Sequence, residues 1–255
     1  MAATRLLNAA AATLAAGVVA DSTAEHHRAG FHNPVMFVGP AVAAAALIAA
    51  VSAARRPAAP GRFRQAVFAT SVMTGLVGLG FHTRNVSRRV GGWNATNVLH
   101  GAPMAAPLAA TMAGLLGLAA TRSPNGPALG ALVAAGLMGT SVEAGALHFR
   151  GAFQNPFMYA PVTLPPIAAA VLAAASVTQS SKAKRAADRL LRLTAWLGVV
   201  GTGFHAWGVQ RRMGGWRNWR QNLLAGPPLP APPAFVGLAF AGLAALELLE
   251  TRRVE

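Results

Sequence analysis

The chain has 255 residues, of which 54% are hydrophobic and only 11% charged, with a mean hydropathy of +0.43; so few charges cannot solvate a water-soluble domain of this size, and an integral membrane protein is expected. The net charge of +15 does not point to nucleic acid, because the basic residues stand in short clusters between apolar runs, as loops beside anionic lipid headgroups do. The absence of cysteine excludes disulfides, thiolate zinc sites, iron–sulfur clusters and covalently attached c-type haem, leaving His, carboxylate or Met as the ligands of any metal or haem.

In chain order, the first twenty residues imitate a signal peptide: Arg5, an Ala-rich stretch, then Val18-Val19-Ala20 as a cleavage-like site. Apolar runs able to cross about 30 Å of hydrocarbon, roughly 20 residues each, are predicted near residues 6–27, 34–54, 63–84 and 103–121, then 127–148, 156–178, 189–209 and 230–250. Pro34 and Pro156 follow Asn33 and Asn155 at helix starts, where the Asn reads as a turn or capping residue. Pro165 and Pro166 are expected to kink the sixth run.

Three blocks recur in the same order. Gly78 to Trp93 (GLGFHTRNVSRRVGGW) matches Gly201 to Trp216 (GTGFHAWGVQRRMGGW) at 10 of 16 positions without a gap. Arg28 to Met36 (RAGFHNPVM) matches Arg150 to Met158 (RGAFQNPFM), and Asn97 to Pro103 (NVLHGAP) matches Asn222 to Pro228 (NLLAGPP). The expected fold is therefore an all-α, polytopic membrane bundle of eight spans, a parallel 4+4 internal duplication of residues 1–124 and 125–255. Four spans per unit is even, so the copies share one orientation about an axis along the membrane normal. The segment matching residues 1–20 in the second half is an internal helix, which argues against cleavage.

Of the 22 Lys and Arg, 13 fall on the side of the termini and even-numbered connections: Arg5, Arg55, Arg56, Arg62, Arg64, Arg122, Lys182, Lys184, Arg185, Arg189, Arg192, Arg252 and Arg253. By the positive-inside rule both termini are expected in the cytoplasm, with a bacterial inner membrane as the setting. All seven histidines, His26, His27, His32, His82, His100, His148 and His205, then fall at the other face.

Two of these recur: His26 matches His148, and His82 matches His205. Each of His82 and His205 has an Arg seven residues on, Arg89 and Arg212, on the same helical face if the helix continues. Imidazoles just below a membrane surface with guanidinium groups above them suit a b-type haem, His binding iron and Arg28, Arg89, Arg150 or Arg212 neutralising propionates; they also suit a quinone headgroup. The bland alternative is that these histidines are interfacial polar groups bonded to nearby loops.

Asp21 and Glu143 correspond across the repeat within apolar segments, each with an Arg seven residues on, Arg28 and Arg150. They read as a proton relay or cation ligand, or as buried ion pairs that fix packing. Trp93 and Trp216, closing the Arg-Arg-x-Gly-Gly-Trp segments, read as interface anchors or as part of a propionate clamp. His26, His27, His32, Glu25 and His100 form a first-copy group of copper, iron or zinc ligand types. No nucleophile elbow, Walker loop, HExxH sequence or dinucleotide fingerprint is present.

The expected function is a membrane electron-transfer subunit, such as the membrane subunit of an oxidoreductase complex, that binds haem b, quinone or both near the extracytoplasmic face and links a redox partner to the quinone pool. Its partners would be the lipid bilayer and other subunits or an extracytoplasmic redox protein. A small-solute or ion transporter, or a noncatalytic membrane anchor, is the alternative.

Overall fold

The computed structural model describes residues 2–55, 61–122 and 124–251; Arg56, Arg252 and Arg253 lie outside them. The described residues are helical, without strands, in ten α-helices: α1 (Ala2–Arg28), α2 (Val38–Arg55), α3 (Arg62–Ser87), α4 (Ala95–His100), α5 (Leu108–Ala120), α6 (Gly126–Arg150), α7 (Ala160–Thr178), α8 (Ser181–Gln210), α9 (Trp219–Ala225) and α10 (Pro233–Thr251). Short 3₁₀ turns, Pro34–Phe37 and Pro156–Tyr159, lead into α2 and α7.

Six segments are long and apolar enough to cross a membrane: α1, α2 with its leading turn, α3, α6, α7 with its leading turn, and α10. The other two expected spans differ for identifiable reasons. The run 103–121 is helical only over the 13 residues of α5, about 20 Å at 1.5 Å per residue, because Pro103 and Pro107 leave the preceding backbone irregular. Helix α8, at 30 residues, is long enough. However, Lys182, Lys184, Arg185, Asp188, Arg189 and Arg192 charge its first turns, and Gly, Thr and Trp dilute the rest. Helix α7 runs on past Pro165 and Pro166.

Helices α1, α2, α3 and α5 pack in a ring, each against the next, and α6, α7, α8 and α10 do the same. Small residues set the spacing, as expected where lipid supplies no hydrophobic drive between helices. Gly117 of α5 lies against the ring of Phe68, and Gly242 of α10 against the side chain of Leu191; a Cβ at Gly117 would collide with the ring.

The two rings join chiefly through α1 against α10. Ala10, Ala11 and Ala15 of α1 and Ala241, Ala244 and Ala245 of α10 are all buried, and a Cβ on Gly237 would come within 3.1 Å of both the Ala10 carbonyl oxygen and the Leu14 side chain. Helices α5 and α6 do not approach as closely. There the bulk is reversed: Gly136 on α6 faces Met112 on α5 and Leu238 on α10. Lys184, expected only as a topology signal, is buried and donates to the Leu249 carbonyl at 2.6 Å, capping the end of α10.

Candidate functional site

The four recurring histidines stand at or near the C-terminal ends of α1, α3, α6 and α8, and their neighbours come from the connections that follow. Helix α1 ends in a reversal with Gly30 at φ 72° and Phe31 at φ 44°. A left-handed Phe costs roughly 1–2 kcal/mol. Part of that cost is offset by its ring, stacked on Phe37 at 4.2 Å between centroids and edge-on to His26 at 6.0 Å. At the end of α6, Ala152 has φ 55° and Phe153 φ 44°, and Phe153 stacks on Tyr159 at 4.6 Å and meets His148 edge-on at 6.0 Å. The Asn33 side chain accepts from the Val35 amide and Asn155 from the Phe157 amide, each at 3.0 Å, the capping role expected of them.

These reversals bring a backbone carbonyl to each imidazole. His26 Nδ1 lies 2.6 Å from the Met36 oxygen and His148 Nδ1 2.8 Å from the Met158 oxygen. His82 and His205 each reach across to a proline carbonyl, Pro103 and Pro228, at 2.7 Å. Both proline carbonyls belong to irregular backbone before α5 and α10, where each also accepts a turn hydrogen bond, from the Ala106 amide at 3.3 Å and the Ala231 amide at 3.2 Å, and the imidazole supplies a second donor. A carbonyl oxygen only accepts. Each Nδ1 therefore carries the hydrogen, and in the neutral ring each Nε2 is left with a free lone pair.

No protein family, curated protein or solved structure matches this chain, so the site's chemistry rests on its own geometry. The four tethered histidines are partly buried, whereas His27, His32 and His100 are exposed. His148 lies within electrostatic reach of His205. Among the described residues no three or more His, Asp or Glu side chains converge on a position that would hold a metal ion, so His26, His27, His32, Glu25 and His100 do not form the first-copy cluster.

The arginines divide. Helices α3 and α8 stop at Ser87 and Gln210, so Arg89 and Arg212 lie beyond the helix ends rather than on a continued face. Arg89 donates to the His100 carbonyl at 3.1 Å, closing α4. Arg28 pairs with Glu25 at 2.8 Å, an exposed pair, and not with Asp21. The shorter reach to Glu25 wins over a partner two turns away. Arg150 is exposed, and Glu143 does not pair with it; among the described residues neither Asp21 nor Glu143 makes a hydrogen bond or ion pair. Both carboxyls are partly buried; Glu143 lies within electrostatic reach of Asp21, whereas Asp21 feels chiefly Glu25 and Arg28.

Two residues that sequence reasoning had matched without assigning a role hold the Arg-Arg-x-Gly-Gly-Trp turns together. Buried Asn97 donates both amide hydrogens, to the Val90 and Gly92 carbonyls at 3.0 and 2.7 Å. Buried Asn222 does the same to Met213 and Gly215 at 3.1 and 2.8 Å. Gly91, Gly92, Gly214 and Gly215 all have positive φ, the conformation for which glycine is suited. Trp93 and Trp216 are 58% and 44% exposed, as interface anchors would be. Beside the second turn, Gln154, Asn155, Gly208, Arg211, Arg212 and Pro227 line a cleft of about 450 Å³.

Proposed function

We propose that this chain is a membrane electron-transfer subunit that binds b-type haem, quinone or both near its histidine-bearing face, and that it arose by doubling a four-helix unit, residues 1–124 and 125–255. The recurrence of like contacts in the two halves supports the doubling: Asn97 and Asn222, Phe31 and Phe153, Gly117 and Gly242. On this reading α5 and α8 complete eight spans, and both termini lie in the cytoplasm of a bacterial inner membrane.

The observation that carries the functional reading is the pair His148 and His205, each with Nδ1–H fixed on a carbonyl and Nε2 free. A histidine that binds iron is commonly held this way by its second nitrogen, which sets the ring and its tautomer. The same lone pair accepts a hydrogen bond from a quinol hydroxyl. A bound haem or quinone would supply the one-electron chemistry that no side chain here provides. The chain's own residues orient the imidazoles and take up protons, with His148 and His205 grouped in one site and His26 and His82 in the other. Asp21 and Glu143, unpaired and within each other's field, fit a proton relay between the two sites.

A reduced-minus-oxidised spectrum of the purified protein, with pyridine haemochrome and quinone extraction, tests this. Haem or quinone retained by the wild type and diminished in His148→Ala and His205→Ala is expected. Material carrying neither group overturns it.

A further inference from the structure

The cleft beside α8 differs chemically from the remainder of the histidine-bearing face. Its walls are two guanidinium groups, Arg211 and Arg212, and two amide side chains, Gln154 and Asn155, with Gly208 and Pro227 completing it. Among the described residues neither guanidinium group makes a hydrogen bond or ion pair, and both arginines are exposed. In the first half the matching Arg89 is occupied by the His100 carbonyl. The second half leaves its guanidinium groups uncommitted beside a concave surface.

Helix α8 carries Phe204 and Trp207 just before Gly208, and the turn carries Phe157 just after Asn155. These three side chains are 41%, 60% and 65% exposed, and the rings of Phe157 and Phe204 meet at 4.9 Å. An exposed aromatic surface running from an unpaired cationic cleft toward the apolar body of α7 and α8 matches an amphiphile with an anionic head and an apolar tail. Guanidinium forks bind phosphate oxygens in paired, charge-assisted hydrogen bonds, and the two amides add donors for the remaining oxygens.

We propose that this cleft binds a phosphate group, supplied by an anionic phospholipid whose acyl chains lie against Phe157 and Phe204. The cleft adjoins the His148 and His205 pair, since Gly208 follows His205 on α8 and Pro227 precedes Pro228, whose carbonyl His205 holds. It also accounts for a residue the repeat does not keep: where the first half has His32, the second has Gln154, which stays a neutral hydrogen-bonding group at every pH.

The test uses the full-length protein, delipidated in neutral detergent and titrated with phosphatidylglycerol, phosphatidylcholine or inorganic phosphate, with bound lipid counted by native mass spectrometry. Wild type is expected to bind phosphatidylglycerol about thirtyfold more tightly than Arg211→Gln/Arg212→Gln, the factor expected for two cations beside an anionic lipid surface. Arg88→Gln in the first half should leave it unchanged. Gln154→Glu, a surface substitution that places a negative charge in the cleft, should weaken binding in the same direction without relying on the double variant's folding. Displacement of the lipid by millimolar inorganic phosphate assigns the site to soluble phosphate and overturns the lipid source. Equal phosphatidylglycerol binding by wild type and both variants overturns the site.

Discussion

His205 donates its Nδ1 hydrogen to the Pro228 carbonyl oxygen at 2.7 Å, and the bond ties the end of α8 to the irregular backbone that leads into α10. Replacing His205 with Ala removes this donor and leaves that carbonyl with the Ala231 amide alone, at 3.2 Å. A loss of about 0.5–1.5 kcal/mol is expected, read from detergent-induced unfolding. His205→Asn, whose amide is a donor on a shorter arm, should recover part of the stability but none of the haem or quinone. Recovery of both by Asn would mean that the histidine acts only as a tether.

Ala152 occupies a left-handed conformation at φ 55°, where the first half has Gly30 at φ 72°. Ala152→Gly should therefore stabilise the protein by roughly 0.5–1 kcal/mol, the relief of left-handed strain less the added freedom of the unfolded chain. Gly30→Ala should cost a similar amount. Thermal unfolding of the two variants in one detergent checks the opposite signs.

Asn97 and Asn222 each satisfy two carbonyls of a glycine turn. Asp is nearly the same shape but supplies no hydrogens when ionised, so Asn97→Asp or Asn222→Asp is expected to cost about 2–4 kcal/mol. Protease cleavage should appear first within residues 88–94 or 211–217. Unchanged cleavage would mean that the turns are held by something else.

Helix spacing supplies an unequal pair. Gly117→Ala drives a methyl into the Phe68 ring, whereas Gly242→Ala meets only the branched end of Leu191 at 2.7 Å. The first is expected to cost about 2–3 kcal/mol and the second under about 1 kcal/mol. Phe68→Leu should partly rescue Gly117→Ala, and failure of that rescue would place the strain elsewhere.

Among the described residues Asp21 and Glu143 make no ion pair or side-chain hydrogen bond, and the charge on Asp21 repels that on Glu143. Asp21→Asn or Glu143→Gln alone should raise stability at neutral pH by roughly 1–2 kcal/mol, less than the about 3 kcal/mol charged to a carboxylate at a bilayer centre. The double variant should gain less than the sum, because either change already removes the mutual repulsion. If proton transfer is their function, quinol oxidation slows in the same variants that become more stable.

The helical membrane architecture was legible in the sequence because twenty-residue apolar runs have few alternatives in a chain so poor in charge. The recurring histidines were legible too, through blocks that also contained Pro103, Pro228, Asn97 and Asn222. What those blocks did not convey was partnership. Hydrogen bonding to a backbone carbonyl leaves no side-chain signature, so neither the imidazole tethers nor the asparagine forks had one to read. The Arg89 and Arg212 placement failed because helical spacing was carried past Ser87 and Gln210, where glycines turn the chain. The alternative reading of Asp21 as the ion-pair partner of Arg28 failed because Glu25, one turn from Arg28, takes the same guanidinium.

The close packing of α1 on α10 has a consequence for assembly. Helix α1 has its main partner across the ring boundary in α10, with more than 200 residues of chain between them. That contact cannot form until α10 has been made, and its closure entropy is the largest of any described helix pair. Until then the alanine face of α1 needs a temporary covering. A chain divided near residue 123 should thus still assemble from two co-expressed pieces, held together at the seam that the intact chain closes last.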